Sequence, residues 1–360
     1  MRETFHRVKD YLERHERPLS AVALVFGFVM DSLTLSRIDL LSNQLVLFIY
    51  LCIVGFCIII LALQETRIAG HPVLLWAVTI APLIMQIVFG GLFSALVVFY
   101  SRSASFSASW PFILFLIGML IGNETFRARY ERMVFRVSIF FIALLSFSVL
   151  IVPVVLHSIG VLPFLLSVSV SIILVYCFIL LLTFFSREHV YEVRHVLMQS
   201  IGIITIVYMI AYITNIIPPV PLALKDFAVA HSVVRVDDGY RLSVEPHSLS
   251  DYFQLSEIYH RTPGEPVYIW TSVFAPTKLS TAIVHNWQYK EGNSWKTASR
   301  ISFPITGGSD GGYRGYSMKE NLGAGAWRVS VETSRGQVIG RVRFDIVDVG
   351  ATQPQQLIEK

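Results

Sequence analysis

The chain changes its pattern of apolar and polar positions partway along its length. Long apolar runs separated by short polar segments give way to a regular alternation of the two. The apolar runs approach the roughly 20 residues that a helix needs to cross a bilayer. We therefore predict an α-helical membrane bundle over residues 19–217. Its seven transmembrane helices are expected at residues 19–36, 42–63, 72–99, 110–125, 134–156, 162–185 and 197–217.

Residues 225–350 show the period-two alternation that is typical of half-buried strands, with turn residues between the strands. Many short strands in succession favour an all-β domain of the immunoglobulin-like sandwich type. The last residues, 351–360, are predicted to form a frayed polar tail. The strands are expected at residues 240–244, 266–275, 280–289, 298–305, 312–318, 326–333 and 337–347.

The two patterns meet at NIIPPVPLAL, residues 215–224, where Pro218, Pro219 and Pro221 fall within four positions. Proline has no N–H and restricts the residue before it, so a helix does not continue through this stretch. Residues 218–224 are therefore predicted to form a stiff, extended exit from the last membrane helix.

Charged residues in the loops predict the orientation of the helices. Residues 1–18 are expected to be a cytoplasmic N-terminal segment that is not cleaved, with the apolar spacing of a short interfacial helix. Because basic loops favour the cytoplasmic side, the N-terminus is expected in the cytoplasm. Seven spans, an odd number, then predict that the β domain lies outside. The basic residues concentrate in alternate loops, namely residues 1–18, Arg67, 127–136 and 187–194, whereas the other loops hold Arg37 and Arg102.

Composition supports a membrane protein and restricts its chemistry. The chain is 54% hydrophobic and 15% charged, and its three cysteines all lie in apolar runs. Residues 225–360 hold 15 Lys/Arg and 14 Asp/Glu, and they show no clustered basic face of the kind that nucleic acids require. No metal-ligand spacing and no nucleophile elbow is present. The sequence thus predicts no cofactor, no metal and no nucleic-acid partner, and it leaves enzymatic activity open.

Four polar residues within the predicted spans are candidates for function in the membrane. Asp31 lies about twelve residues into the first span, where a carboxylate costs roughly 2.5–3.5 kcal/mol on insertion scales. It either contacts a proton, an ion or a substrate, or it is a structural carboxylate that is paired with a basic residue or a hydroxyl or lies near the outer interface, toward which Arg37 would also extend. The alternative for the others is a bond between helices or an interfacial ion pair. These other candidates are Gln86, Asn123 and Glu124.

Five residues of the predicted strands are candidates for binding outside the membrane. Tryptophan, tyrosine and arginine combine apolar area with a polar group, as binding sites for glycans and peptides do. Alternation also predicts that one face of every strand is core, and a histidine there is more often a packing residue. The candidates are His285, Trp287, Arg314, Tyr316 and Arg328.

Several segments resemble a known bacterial family, the domain of unknown function 2914, which ends multi-spanning membrane proteins. They are VYIWTSV (267–273), IVHNWQY (283–289), GGYRGYS (311–317) and GAWRVSVETSRGQVIGRVRF (325–344). The helical half is also similar to that family, in GFVMDSLTL (27–35), FGGLFSALVVFYSRSAS (89–105) and IPPVPL (217–222). The resemblance implies a multi-pass protein of the bacterial cytoplasmic (inner) membrane with a periplasmic β domain. It implies no activity.

Three functions are consistent with these patterns. In the first, the β domain binds a component of the cell envelope, which is a glycan, a peptide or a partner protein. In the second, the helices form a transporter or an enzyme that acts on a lipid-linked substrate through Asp31 and Glu124. In the third, the helices sense a signal that the β domain reports. The lipid bilayer is a partner in every case.

Overall fold

The computed structural model describes seven helices and eleven strands. It describes residues 16–35, 37–64, 72–103, 106–125, 132–237, 239–246, 256–276, 279–306, 312–350 and 353–360. The chain divides into two compact units. The first unit is helical and comprises residues 1–101, 111–152 and 164–213, and the second comprises residues 102–110, 153–163 and 214–360.

The seven predicted helices are all present. Among the described residues, α2, α3, α5, α6 and α7 are long and apolar enough to cross a membrane, whereas the apolar parts of α1 and α4 are shorter. Seven membrane crossings therefore remain a prediction. The helices are α1 (Glu16–Thr34), α2 (Leu41–Gln64), α3 (Pro72–Arg102), α4 (Phe106–Thr125), α5 (Met133–Val155), α6 (Val161–Phe185) and α7 (Arg187–Ile213).

Three helices begin or end outside their predicted bounds. The hydroxyl-rich stretch before residue 110 was expected to be a loop, yet α3 continues to Arg102 and α4 begins at Phe106. Likewise α7 begins at Arg187, because its polar first turns are rich in residues that tolerate a helix. A change from apolar to polar composition along the chain indicates where a helix would leave a membrane. It does not indicate where the helix ends.

A buried polar network joins helices inside the first unit. The Tyr100 hydroxyl donates to the Ser146 carbonyl at 2.8 Å, and the Ser146 hydroxyl lies 2.6 Å from the Tyr208 hydroxyl. The ring of Phe112 packs edge-on against both tyrosine rings. These residues belong to α3, α4, α5 and α7, so one network fixes the packing of four helices in apolar surroundings.

The strands of the second unit form three sheets. One has the order β1-β5-β8, a second has the order β4-β10-β9-β6-β7, and a small third has the order β11-β3-β2. All pairs are antiparallel except β4 with β10. The strands are β1 (Ala223–Ala230), β2 (Ser232–Val236), β3 (Gly239–Val244), β4 (Glu257–Arg261), β5 (Val267–Phe274), β6 (Ser280–Glu291), β7 (Ser294–Thr306), β8 (Tyr313–Lys319), β9 (Gly325–Thr333), β10 (Val338–Asp348) and β11 (Gln356–Glu359).

The first two sheets pack face to face and enclose the main core. Ile269 of β5 shares one buried cluster with Trp287 of β6, Val329 of β9 and Phe344 of β10. Alternate residues of each strand enter this core, as period-two patterning requires. The third sheet encloses a separate small cluster around Trp270. The predicted all-β region is thus a two-sheet sandwich with an additional small sheet.

The exit from the helices differs from its prediction. Residues 217–223 are buried, and two short turns form where Val220 N–H donates to the Pro218 carbonyl and Leu222 N–H to the Pro219 carbonyl. The Val220–Pro221 peptide is cis. Leu222 belongs to a core cluster, and β1 begins at the next residue. The prediction of an extended exit over residues 218–224 is therefore wrong: apolar side chains between the prolines bury themselves and fold the chain into a compact turn.

The C-terminal end also differs from its prediction. Residues 356–359 form β11, which pairs with β3, so a frayed polar tail over residues 351–360 is wrong for this part. The pairing continues to Lys360, whose N–H and carbonyl both bond to Tyr240. Ile358 packs against the cluster around Trp270. A four-residue strand is too short to show a clear alternation in the sequence. The strand that it pairs with also lies more than a hundred residues away along the chain.

Gly315 allows a test of how closely the two sheets of the sandwich pack. A Cβ added there would lie 2.7 Å from Cε2 of Phe303, inside contact distance. We expect Gly315→Ala to lower the free energy of unfolding by about 1–3 kcal/mol through overpacking. Chemical denaturation of the full-length protein, followed by tryptophan fluorescence, measures the change. Gly323→Ala is the control, because a Cβ at Gly323 meets nothing within 4 Å. Equal stability of the two variants would contradict the prediction.

Candidate functional site

His285 and Trp287 lie in the core and not on a binding surface. Both are fully buried, and both point from β6 toward the opposite sheet. The imidazole Nε2 lies 2.9 Å from Thr271 Oγ1 and Nδ1 lies 2.8 Å from Ser317 Oγ, which also accepts the Trp287 N–H. Burial lowers the pKa of His285 to about 4, so the ring is neutral. These two candidates connect the two sheets of the sandwich from within its core.

Arg314 and Tyr316 lie on the outer face of the other sheet, on β8. The Tyr316 ring is 42% exposed and contacts the rings of Tyr240 and Tyr268 at centroid distances of 5.9 and 6.1 Å. Arg314 is half-buried close to Gly239. The arrangement offers one accessible aromatic ring, supported by two tyrosines that are largely used in packing.

Arg328 belongs to a larger cluster on the outer face of the five-stranded sheet. Strand pairing sets Arg343 of β10 directly opposite Arg328 of β9, which in turn lies opposite Gln288 of β6. The next row across the same strands contains Arg341, Ser330, Asn286 and Arg300. We call this surface the arginine face and define it by Arg300, Arg328, Arg341, Arg343, Asn286, Gln288 and Trp295.

Side chains of the arginine face hold one another in place. The guanidinium of Arg328 stacks on Trp295, with Cζ 4.4 Å from the ring centre, and its Nε donates to Gln288 Oε1 at 2.7 Å. Within the described residues, its two terminal nitrogens have no hydrogen-bond partner. A guanidinium fixed in this way loses little freedom when those nitrogens bind a ligand.

Among the described residues, the carboxylate that contacts the arginine face is already engaged. Glu332 is buried and accepts from Asn286 Nδ2 at 2.9 Å, and its other oxygen lies 3.2 Å from Arg300. Asp345, two residues beyond Arg343, accepts from the Ser256 hydroxyl and marks the end of the surface. The arginine face therefore carries more positive than negative charge.

The arginines affect one another electrostatically. Burial lowers the pKa of Arg328 to about 10, and the charges of Arg341 and Arg343 add to this effect while Glu332 opposes it. Burial also lowers the pKa of Arg341, again with a contribution from Arg343. With a pKa of about 10, Arg328 remains protonated at neutral pH. Like charges directly opposite on neighbouring strands destabilise a sheet, so an anion bound here would relieve a repulsion that folding imposes.

Alternation in the sequence predicts part of this cluster. In RVRF, residues 341–344, the two arginines are two positions apart and must share a face. The expectation that the β region has no clustered basic face is nevertheless wrong, because charge counted along the chain is near neutral. Pairing of β9, β10, β6 and β7 brings four arginines together from separate segments.

A second polar cluster was not predicted from the sequence. Glu245, which follows β3, lies 3.3 Å from His231 Nε2 and 2.8 Å from His260 Nδ1. Burial alone would raise the pKa of Glu245, but hydrogen bonds from the two histidines outweigh it and lower the pKa. The described residues contain no group of three or more His, Cys, Asp or Glu placed to hold a metal. This cluster ties β4 to β1 and β3.

The polar candidates of the helices have different surroundings. Asn123 is buried, and its Nδ2 donates to the Gln86 carbonyl at 2.7 Å, so it links α4 to α3. Gly90 lies beside it and leaves room for the contact. The side chain of Glu124 lies outside the described residues. Asn123 thus forms the kind of bond between helices that was one of the predicted alternatives, and its acceptor is the main-chain carbonyl of Gln86.

Asp31 has no basic partner among the described residues. The neighbouring Arg37 makes two hydrogen bonds to Asp39, at 2.6 and 3.0 Å. The carboxylate is directed toward the Ser94 hydroxyl of α3 without reaching hydrogen-bond geometry, and it lies close enough to Tyr50 of α2 to interact electrostatically.

The fold defines a class of protein: a unit of apolar helices of membrane type, followed by a two-sheet β domain. Residues 280–346, which run from β6 to near the end of β10, match the family model described as "Protein of unknown function (DUF2914)". The predicted resemblance of the C-terminal region is thereby confirmed. The match lies within the β domain and includes the four arginines of the arginine face.

Comparison with curated protein sequences gave no match. Among solved structures, an immunoglobulin-like protein from Pseudomonas aeruginosa covers 35% of this chain and 96% of its own, at 9% identity and a TM-score of 0.22. The Pseudomonas fluorescens alkylpurine DNA glycosylase AlkC, bound to DNA containing an abasic site analog, covers 77% of this chain and 82% of its own, at 11% identity and a TM-score of 0.23.

The buried histidine predicts how stability depends on pH. The pKa of His285 is about 4 in the folded state and near 6.5 when unfolded, so its contribution is complete above pH 6.5 and is lost as the pH falls toward 4. Between pH 7 and pH 5 we expect the free energy of unfolding to fall by about 2 kcal/mol. Denaturant titrations at both pH values measure this change.

The matched variants are His285→Gln, which should flatten this dependence, and His157→Asn, which changes an exposed histidine and should preserve it. The same slope in wild type and His285→Gln would show that another group is responsible.

Proposed function

We propose that this chain is a multi-pass protein of the bacterial inner membrane whose periplasmic β domain binds an anionic glycan of the cell envelope through the arginine face. The observation that carries the proposal is the cluster of four arginines whose single carboxylate, Glu332, is already bonded. Guanidinium groups match carboxylates and phosphates through paired hydrogen bonds, so an anionic ligand suits this surface.

The position on a sheet face favours a glycan over a peptide. Backbone N–H and C=O groups within a sheet are used by the ladders, so a ligand on the face meets side chains alone. Peptides usually add to a sheet edge or fill a groove. One of the two edge strands of this sheet is β7, where Lys296, Arg300 and Pro304 discourage strand addition.

The helices support the membrane part of the proposal. Five helices of membrane type are compatible with insertion, and we propose that α1 and α4 also cross, giving seven spans. Basic residues in alternate loops then place the N-terminus in the cytoplasm and the β domain outside. A rigid two-sheet domain on that side would present its outer face to envelope polymers.

Removal of arginines should weaken binding of an anionic glycan. We expect Arg328→Gln and Arg343→Gln each to reduce the affinity of the full-length protein in nanodiscs for polygalacturonate by about tenfold, since each removes charge-assisted hydrogen bonds. Raised salt should weaken binding further, and neutral dextran should not bind. Biolayer interferometry measures all three effects. Arg235→Gln is the control, because Arg235 is exposed on β2, outside the arginine face.

Three results would contradict the proposal. If no anionic polymer binds, the proposed function fails. If Arg235→Gln weakens binding as much as Arg328→Gln, the attraction is a property of total charge and not of this surface. If polyglutamate or duplex DNA binds more tightly than polygalacturonate and depends on Arg328, the assignment to a glycan is wrong.

Orientation is tested by cysteine labelling. The three native cysteines lie in apolar helices, so Cys52→Ala, Cys57→Ala and Cys177→Ala provide a background without thiols. We expect Asn293→Cys, in the exposed turn before β7, to react with a membrane-impermeant maleimide before the cells are lysed. Glu192→Cys, in the predicted cytoplasmic segment, should react only after lysis. The opposite order would place the β domain in the cytoplasm.

A further inference from the structure

The first helix presents two different faces in its second half. Val25, Phe26 and Leu33 are 59%, 65% and 73% exposed, as side chains that contact lipid would be. Asp31 and Leu35, four positions apart, lie on the less exposed face, and Leu35 is buried. Because residues four apart share a helix face, the carboxylate is turned toward the other helices of the first unit.

Two oxygen-bearing side chains from different helices lie close to the Asp31 carboxylate. Ser94 of α3 is 3% exposed, and its hydroxyl has no hydrogen-bond partner within the described residues. Tyr50 of α2 packs closely on Gly91, one turn from Ser94, where an added Cβ would lie 3.0 Å from the Tyr50 ring. The side chain of Asp31 is directed at this point.

This arrangement leaves both charge and hydrogen-bonding capacity unsatisfied. A carboxylate in apolar surroundings is costly unless something positive accompanies it, and a buried hydroxyl without a partner costs about 1–3 kcal/mol. No described residue forms an ion pair with Asp31, since Arg37 is bonded to Asp39. Carboxylate and hydroxyl oxygens are the ligands that hard cations prefer.

We propose that Asp31, Ser94 and Tyr50 form a binding site for one monovalent cation, supplied either as Na⁺ or as a proton. A single carboxylate balances a single positive charge. The described residues hold no cluster of carboxylates, histidines or cysteines that would bind a multivalent metal. This site lies in the helical unit and is independent of the glycan-binding function that we propose for the β domain.

Reaction with dicyclohexylcarbodiimide tests the site directly. This apolar reagent adds to protonated carboxyl groups, and the whole reagent remains attached as an N-acylurea that mass spectrometry locates. We expect Asp31 of the full-length protein in liposomes to be modified. A proton as the cation predicts a rate that falls as the pH rises and ignores salt. Sodium as the cation predicts protection by NaCl at constant pH, with choline chloride as the control for ionic strength.

Variants separate the site from general effects on the fold. Asp31→Asn, which keeps the shape of the side chain, should abolish labelling at this position. Ser94→Ala should raise the half-protecting NaCl concentration about tenfold, or change the pH dependence if the cation is a proton. Ser148→Ala, which changes a buried serine of α5, should have no effect.

A second measurement covers the case in which the reagent does not enter. Binding at Asp31 predicts a Tm that rises with NaCl, or with acidification, more in wild type than in Asp31→Asn. The difference between the two proteins removes the separate effect of His285 on acid stability. If Asp31 is unreactive and the Tm of both proteins responds identically to NaCl and to pH, the proposal is wrong. Labelling that neither pH nor NaCl affects would also overturn it.

Discussion

The hydrogen bonds of His285 fix which side chains of strand β6 face the core and which face outward. Its neutral ring bonds to Thr271 and Ser317 of the facing sheet, and Trp287 bonds to the same Ser317. Because strand residues alternate, fixing these two side chains inward turns Asn286 and Gln288 outward. A shift of one residue in this strand would bury the amides and expose the core. The bonds that hold the sandwich together therefore also define which residues form the arginine face.

The arginine face and Asp31 present the same physical problem in different solvents. In both places one sign of charge exceeds its partners among the described residues, and folding alone does not supply the missing charge. At the surface the cost is moderate, because water and salt screen the repulsion between Arg328 and Arg343. In the helical unit, the apolar surroundings hydrate the carboxylate poorly, so we propose that a small cation compensates its negative charge.

Much of the architecture could be predicted from the sequence, because it depends on local patterns. The long apolar runs predict α2, α3, α5, α6 and α7, and alternation predicts seven of the eleven strands. In one of these strands, β9, Trp327 is a core residue. The strands that escaped prediction are β1, β2, β4 and β11. They are short or lie beside polar stretches, and long-range pairing stabilises them more than their own composition does. The exit was mispredicted for a related reason: proline indicates where a helix ends and not whether the following residues become buried.

The candidate sites show the same difference between local sequence patterns and long-range packing. The sequence by itself determined which residue types were available, that Asp31 falls within an apolar run, and that Arg341 and Arg343 share a face. Only the tertiary structure decided that His285 and Trp287 are core residues, that Arg37 bonds to Asp39, and that Ser94 lies beside Asp31. It also brought Arg328 and Arg300 to Arg341 and Arg343, although the β region is almost neutral overall. Net charge is a sum along the chain, whereas binding depends on which charges strand pairing places within a few ångströms of each other.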